Sequence, residues 1–132
     1  MIRCFALALF ALALAGCDAP AGRDVVAGAK PPEFLPLQGP DTFVMIVDPA
    51  SPPDSWRGAA KQQCGKREFC KVFAWTDPAE AARALPMTDR ELEAQAFSYG
   101  INRVTGYDEA EWDCSRFTRA SKCAAAKGQA QR

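Results

Sequence analysis

Hydrophobic and polar positions divide the chain into four stretches. The first carries an unbroken apolar run from Phe5 to Ala15, preceded by the lone charge of Arg3. These eleven residues are too few to span a bilayer as a helix, which needs about 20. They suit the apolar region of a signal peptide. Residues 18–40 then show no helical or strand period: Ala19-Pro20-Ala21-Gly22, Gly28, Pro31-Pro32, Pro36 and Gly39-Pro40 punctuate them. This composition predicts a semi-extended tether. Phe34, Leu35 and Leu37 leave a second reading open, in which they pack onto the domain as an arm.

The third stretch, Asp41 to Cys123, alternates strand and helix signals. Phe43-Val44-Met45-Ile46-Val47 is a β-rich apolar run between Pro40 and Asp48-Pro49, the pattern of a buried strand. A helix is predicted from Trp56 to Gln63, capped by Asp54 or Ser55 and ended by Cys64 before a turn at Gly65–Glu68. Phe69, Lys71, Phe73 and Trp75 alternate with Cys70, Val72 and Ala74, which is the clearest strand signal of the chain. Asp77-Pro78-Ala79-Glu80 has the grammar of a helix start and predicts a short Ala-rich helix to Leu85, stopped by Pro86. Thr88-Asp89-Arg90-Glu91 reads as a capping box opening a helix to Gln95. Phe97, Tyr99 and Ile101 alternate with Ser98, Gly100 and Asn102 as a strand. After a Thr105-Gly106 turn, Tyr107 to Cys114 returns as an antiparallel strand or forms one helical turn at Asp108–Glu111.

These elements predict an α+β fold: a small antiparallel sheet of three to four strands with two or three short helices on one face. Its predicted core is Phe43, Ile46, Trp56, Val72, Ala74, Leu92, Phe97, Tyr99, Ile101 and Trp112. Residues 124–132 are Ala, Lys, Gln, Gly and Arg, read as a frayed tail. Arg116, Arg119, Lys122, Lys127 and Arg132 follow Asp113 without an acid, which a solvated tail explains more simply than contact with anionic lipid.

The apolar leader ends in Leu14-Ala15-Gly16-Cys17. A branched apolar residue, two small residues and a cysteine in that order resemble the lipobox of bacterial lipoproteins. The resemblance covers residues 1–17 alone. It implies removal of residues 1–16, diacylation of the Cys17 sulfur, acylation of the new amine and a membrane anchor facing the periplasm. Two or three acyl chains hold firmly where one holds marginally, since each buried CH₂ contributes about 0.8 kcal/mol. Asp18 resembles the signal that retains such lipoproteins in the inner membrane of enteric bacteria.

Cysteine usage agrees with export. With Cys4 in the leader and Cys17 lipidated, Cys64, Cys70, Cys114 and Cys123 remain. An even set in a small exported domain predicts two disulfides. Of the three possible pairings, Cys64–Cys70 and Cys114–Cys123 are favoured: the first joins a helix end to a strand start, the second pins the last segment to the last strand. Zinc is disfavoured, because the spacings lack close C-x-x-C pairs and no histidine exists.

Charge and histidine content narrow the function. Sixteen Lys+Arg balance sixteen Asp+Glu, so no basic field points to nucleic acid. The absence of histidine removes Ser-His-Asp, Cys-His and H-E-x-x-H chemistries. No cofactor motif is present. The remaining cluster is acidic and aromatic: Tyr107, Asp108, Glu109, Glu111, Trp112 and Asp113. Rings stack on sugar faces and carboxylates take hydroxyls, so Tyr107, Glu109, Glu111 and Trp112 are candidate glycan or partner contacts, beside the plainer reading of a solvated face. Three functions are compatible with this set. One is a non-enzymatic, lipid-anchored envelope module binding an unknown envelope protein or peptidoglycan. Another is a glycan-acting enzyme using Glu109 and Glu111. The third is a small hydrolase inhibitor presenting the Pro49–Asp54 loop.

Overall fold

The computed structural model describes residues 28–118, 120, 122 and 123; the leader, Cys17, most of the tether and the tail lie outside these. The elements run β1 (Glu33–Gln38), β2 (Thr42–Ile46), α1 (Pro53–Cys64), β3 (Phe69–Trp75), α2 (Asp89–Ala94), β4 (Phe97–Asn102) and β5 (Tyr107–Trp112). They form one five-stranded sheet in the order β1-β2-β3-β4-β5.

The sheet is mixed, which corrects the expectation of an antiparallel one. β2 and β3 pair in parallel, from Thr42 with Lys71 to Ile46 with Trp75. A parallel pair needs a crossover connection, and α1 supplies it. β2 lies inside the sheet and buries both faces: Phe43, Val44 and Met45 are all buried. That is why its sequence is a continuous apolar run rather than an alternating one.

The fifth strand comes from the stretch read as tether. Glu33–Gln38 pairs antiparallel with β2. Phe34 packs against the main core and Leu37 against a second cluster, as an arm would, while Leu35 stays 46% exposed. The ordered domain therefore begins before Asp41. Pro36 sits on this edge strand, where the missing N–H leaves the sheet interior intact.

α1 covers one face. Trp56, Ala60 and Cys64, spaced four apart, are its buried residues. They meet Phe43, Met45, Cys70, Val72, Ala74, Phe97, Tyr99 and Ile101. The helix begins at Pro53, earlier than predicted, and neither Asp54 nor Ser55 caps it; Pro52 holds the cap position without a side-chain bond. Proline at the first helical position loses no needed donor and arrives with helical φ. Gly65 ends the helix at φ 55° and donates its N–H to Lys61 O. A side chain there would be strained.

The opposite face is covered only at one end. Ala81 and Ala82 tuck under Val44 and Trp75, with Ile46, Phe73, Met87 and Ala94 around them. Residues 79–85 form a turn and irregular bends, not the predicted helix. Asp77 takes the Ala79 N–H at 2.8 Å and its carbonyl takes the Glu80 N–H at 3.2 Å, but the stretch does not continue as a helix: Ala81 and Ala82 are instead buried against Val44 and Trp75 ahead of Pro86. The capping box is formed as predicted: Thr88 Oγ1 accepts from Glu91 N–H, and the Glu91 carboxylate accepts from Thr88 N–H at 2.7 Å. Leu92, expected in the core, is 54% exposed, because α2 buries no residue. Ile46 and Trp112 are half-buried.

Both disulfides are formed in the favoured pairing, Cys64–Cys70 and Cys114–Cys123. Each joins residues near in sequence, at separations of 6 and 9.

Candidate functional site

Strand alternation splits the acidic and aromatic cluster of β5 between two faces. Asp108, Ala110 and Trp112 turn toward α1; Tyr107, Glu109 and Glu111 are exposed on the other side. Trp112 therefore does not join the other three candidates. Its Nε1 donates to Pro53 O at 3.0 Å, and its ring lies 5.1 Å from that of Phe97. Asp113 binds its own turn, accepting from Ser115 and Arg116, and the Ser115 hydroxyl contributes most to holding its carboxyl below the usual range.

Tyr107, Glu109 and Glu111 join residues that the sequence reading had not placed with them. Register puts Phe69, Asn102 and Tyr107 in one row across the sheet, Lys71, Gly100 and Glu109 in the next, and Phe73, Ser98 and Glu111 in a third. β4 contributes only Ser98, Gly100 and Asn102 to this face, so it forms the floor of a trough. Phe69, Lys71 and Phe73 make one wall, and Tyr107, Glu109 and Glu111 the other. Two strand spacings set the walls about 10 Å apart. Phe69 and Tyr107 are 46% and 47% exposed, so both rings face solvent at the same end of the trough. A Cβ on residue 100 would stand 2.9 Å from Tyr107 Cε1: the edge of the ring occupies the space that glycine leaves. Lys71 Nζ lies 5.9 Å from the Phe73 ring centroid, a cation–π contact on the opposite wall.

The α1 side of β5 carries the strongest electrostatics. Asp108 accepts from Lys61 Nζ at 2.8 Å and from Arg57 Nη2 at 3.3 Å, tying the helix to the edge strand. Its carboxyl is held down to about 2, chiefly by the Lys61 hydrogen bond. The buried Tyr99 hydroxyl nearby makes no hydrogen bond of good geometry. Burial first, and the hydroxyl's approach to the Asp108 carboxylate second, push its pKa up to about 12. Both cations that hold Asp108 are about half exposed, so water screens the pair and its net worth is about 1 kcal/mol. Because the folded-state value lies below the unfolded one of about 3.9, this stabilisation is present above that value and is lost as pH falls toward 2. Asp108→Asn is therefore expected to lower stability by about 1 kcal/mol at pH 7 and to match the parent near pH 2. Urea melts at the two pH values check this. Tyr99→Phe, which deletes an unsatisfied hydroxyl, is expected to be neutral or slightly stabilising in the same melts.

Two clefts lie elsewhere. One of about 230 Å³ is lined by Lys30, Glu33, Ile46, Asp48 and Thr76, among others. A second of about 580 Å³ separates the Pro49–Asp54 loop from Arg116–Thr118. Neither contains Tyr107, Glu109 or Glu111. The Pro49–Asp54 loop is tied down: Ser51 Oγ donates to Asp48 O at 2.6 Å and accepts Trp56 Nε1 at 2.7 Å. Asn102 and Arg103 brace turns. Asn102 Oδ1 takes the Val104 N–H, and the Arg103 guanidinium donates to the carbonyls of Gly65 and Arg67. Among the described residues, no group of three or more metal-ligating side chains gathers, and no helix is long and apolar enough to cross a membrane. Comparison with family models, with curated proteins and with solved structures returns no match to this chain.

Proposed function

We propose that the chain is a lipid-anchored protein of the bacterial cell envelope that acts as a non-enzymatic binding module, with the trough over β4 as its contact surface. One observation carries the reading: Cys17 closes an apolar leader in a lipobox-like sequence, and the four cysteines of the domain behind it are fully paired. Disulfides of this kind persist in oxidising compartments, which agrees with export. The residues between Cys17 and β1 span at most about 50 Å when extended, a short leash on a membrane-held domain. The tether enters at Glu33, which pairs with Ile46. Phe69, Asn102 and Tyr107 lie at the other end of the strands. The solvent-facing rings thus stand away from the point of attachment.

A glycan reading is favoured by one feature of the same face. Phe69 and Tyr107 expose about half of their surface beside Lys71, Glu109 and Glu111 on one face of the sheet. Such a surface suits a linear polar ligand better than a buried small molecule.

Cys17→Ser is expected to abolish fatty-acid labelling and to release the protein from the membrane fraction. Retained labelling and membrane association would sink the anchor. Crosslinking in intact cells, with a Tyr107→Ala, Glu109→Gln variant alongside, tests the surface. One envelope partner, or retention on purified cell-wall material, should be enriched with the parent and lost with the variant. Equal capture by both would remove the trough as the contact surface.

A further inference from the structure

The two disulfides differ in access. Cys64 and Cys70 are both 0% exposed and sit in the main core, between α1 and β3. Cys114 is exposed at the surface, while its partner Cys123 is 1% exposed. A thiolate exchanges with a disulfide only by reaching a sulfur in line, so exposed bridges are the labile ones.

What the accessible bridge holds is a strap. Residues beyond β5 turn back through Phe117 N–H to Asp113 O at 2.9 Å, Ala120 N–H to Phe117 O at 3.0 Å and Cys123 N–H to Ala120 O at 3.0 Å. Phe117 lies edge-on against Trp56, with ring centroids 4.9 Å apart, and closes that side of the core. Lys122 Nζ donates to Ala110 O at 2.8 Å. Among the described residues β5 is the last strand of the sheet, so this bond covers part of its outer edge. Among the described residues, the strap is also held by Arg116, which reaches Ala94 O at 2.7 Å and Asp113 at 2.9 Å on the surface, and by Ala120, which is 0% exposed. Short hydrogen-bonded turns of this length do not persist without a constraint.

We propose that Cys114–Cys123 is a thiol-opened latch whose reduction frees the strap from Trp56 and from the edge of β5, while Cys64–Cys70 stays closed and the rest of the domain stays folded. The reductant is a dithiol. Its thiolate attacks Cys114 Sγ, the Cys114–Cys123 bond breaks, and Cys123 leaves with the electron pair as a thiolate. The second thiol of the reductant then attacks the mixed disulfide, closes its own ring and releases the Cys114 thiolate. The dithiol is oxidised by two electrons, and both cysteines end reduced and take up protons according to pH. Opening bares the β5 edge, the geometry to which an extended segment of another chain adds as a strand.

The test uses the full chain purified in detergent and titrated with dithiothreitol. Iodoacetamide trapping and peptide mass mapping follow each cysteine, with amide exchange on the same samples. Cys114 and Cys123 are expected to be alkylated at least tenfold faster than Cys64 and Cys70. Exchange at Phe117, Ala120 and Cys123 should rise while the amides of β3 and β4 stay protected. A Cys114→Ser, Cys123→Ser variant should be folded and show the same exchange pattern without reductant. Three results would overturn the latch: both bridges opening together, Cys64–Cys70 opening first, or unchanged strap protection after Cys114–Cys123 is reduced. Failure of the double variant to fold would overturn it as well, since the strap would then be inseparable from the domain.

Discussion

Trp56→Ala is expected to remove most of the stability of the domain. Trp56 is fully buried in the first turn of α1, its ring edge-on to Phe97 at 6.2 Å and to Phe117 at 4.9 Å. It joins helix, sheet and strap at one point. Truncating a buried tryptophan costs about 3–5 kcal/mol in lost burial and residual cavity. The Nε1 bond to Ser51 Oγ also disappears, leaving a part-buried hydroxyl short of a partner. Small domains sit near the lower end of the usual 5–15 kcal/mol range. A loss of this size lowers Tm by roughly 15–30 °C. Leu92→Ala is the control: Leu92 is 54% exposed, and its replacement should move stability by no more than about 0.5 kcal/mol. Thermal melts of the two variants decide the matter. A Tm change below about 5 °C for Trp56→Ala would mean that α1 does not hold the sheet as described.

That contrast marks where the sequence was legible. The alternation Phe69–Trp75 carried β3, because side chains on a strand face opposite ways and the core needs one set. The Thr88–Glu91 box fixed the start of α2, a local rule with a local partner. Cysteine number and spacing led to the correct pairing. What stayed hidden depended on distant contacts. β1 has a proline and no clean alternation, and it is a strand because β2 offers it an edge. Ala79–Leu85 has helix formers throughout, yet Ala81 and Ala82 are used to fill space under Trp75. Leu92 carries the periodicity of a core residue on a helix that the sheet does not cover. Three members of the candidate site were legible as residues, but not as a surface. Tyr107, Glu109 and Glu111 share a face by alternation, which the strand reading implied and the helical-turn reading obscured. Their partners Phe69 and Lys71 required the β3–β4–β5 register, and no local signal encodes that. The same alternation excludes Trp112 from the cluster that its sequence position suggested.

Removing the inner disulfide is the second large effect. In Cys64→Ala, Cys70→Ala the unfolded chain regains the freedom of a short loop, worth about 2–3 kcal/mol in the chain-entropy model. Two side chains that were 0% exposed also lose volume in the core. Tm is expected to fall by roughly 10–20 °C. Folding should nevertheless survive, because arginines hold the same junction. The Arg67 guanidinium donates to Gln63 O at 2.9 Å and to Cys64 O at 3.3 Å, closing the last carbonyls of α1. It also pairs with Asp41 at 3.3 Å and lies 5.1 Å over the Phe43 ring. Arg103 binds Gly65 O at 2.6 Å and Arg67 O at 2.9 Å from the β4 side. Bridge and arginines thus fix one turn by independent means, and each limits what loss of the other can do. The two should therefore be coupled: Arg67→Ala is expected to cost more in the disulfide-free background than in the parent, by about 0.5–1 kcal/mol. Urea melts of the four proteins of this cycle measure the difference. Strict additivity would mean that the turn is held by the disulfide or by the arginines alone, and would move the explanation of its order to whichever single change lowers the midpoint more.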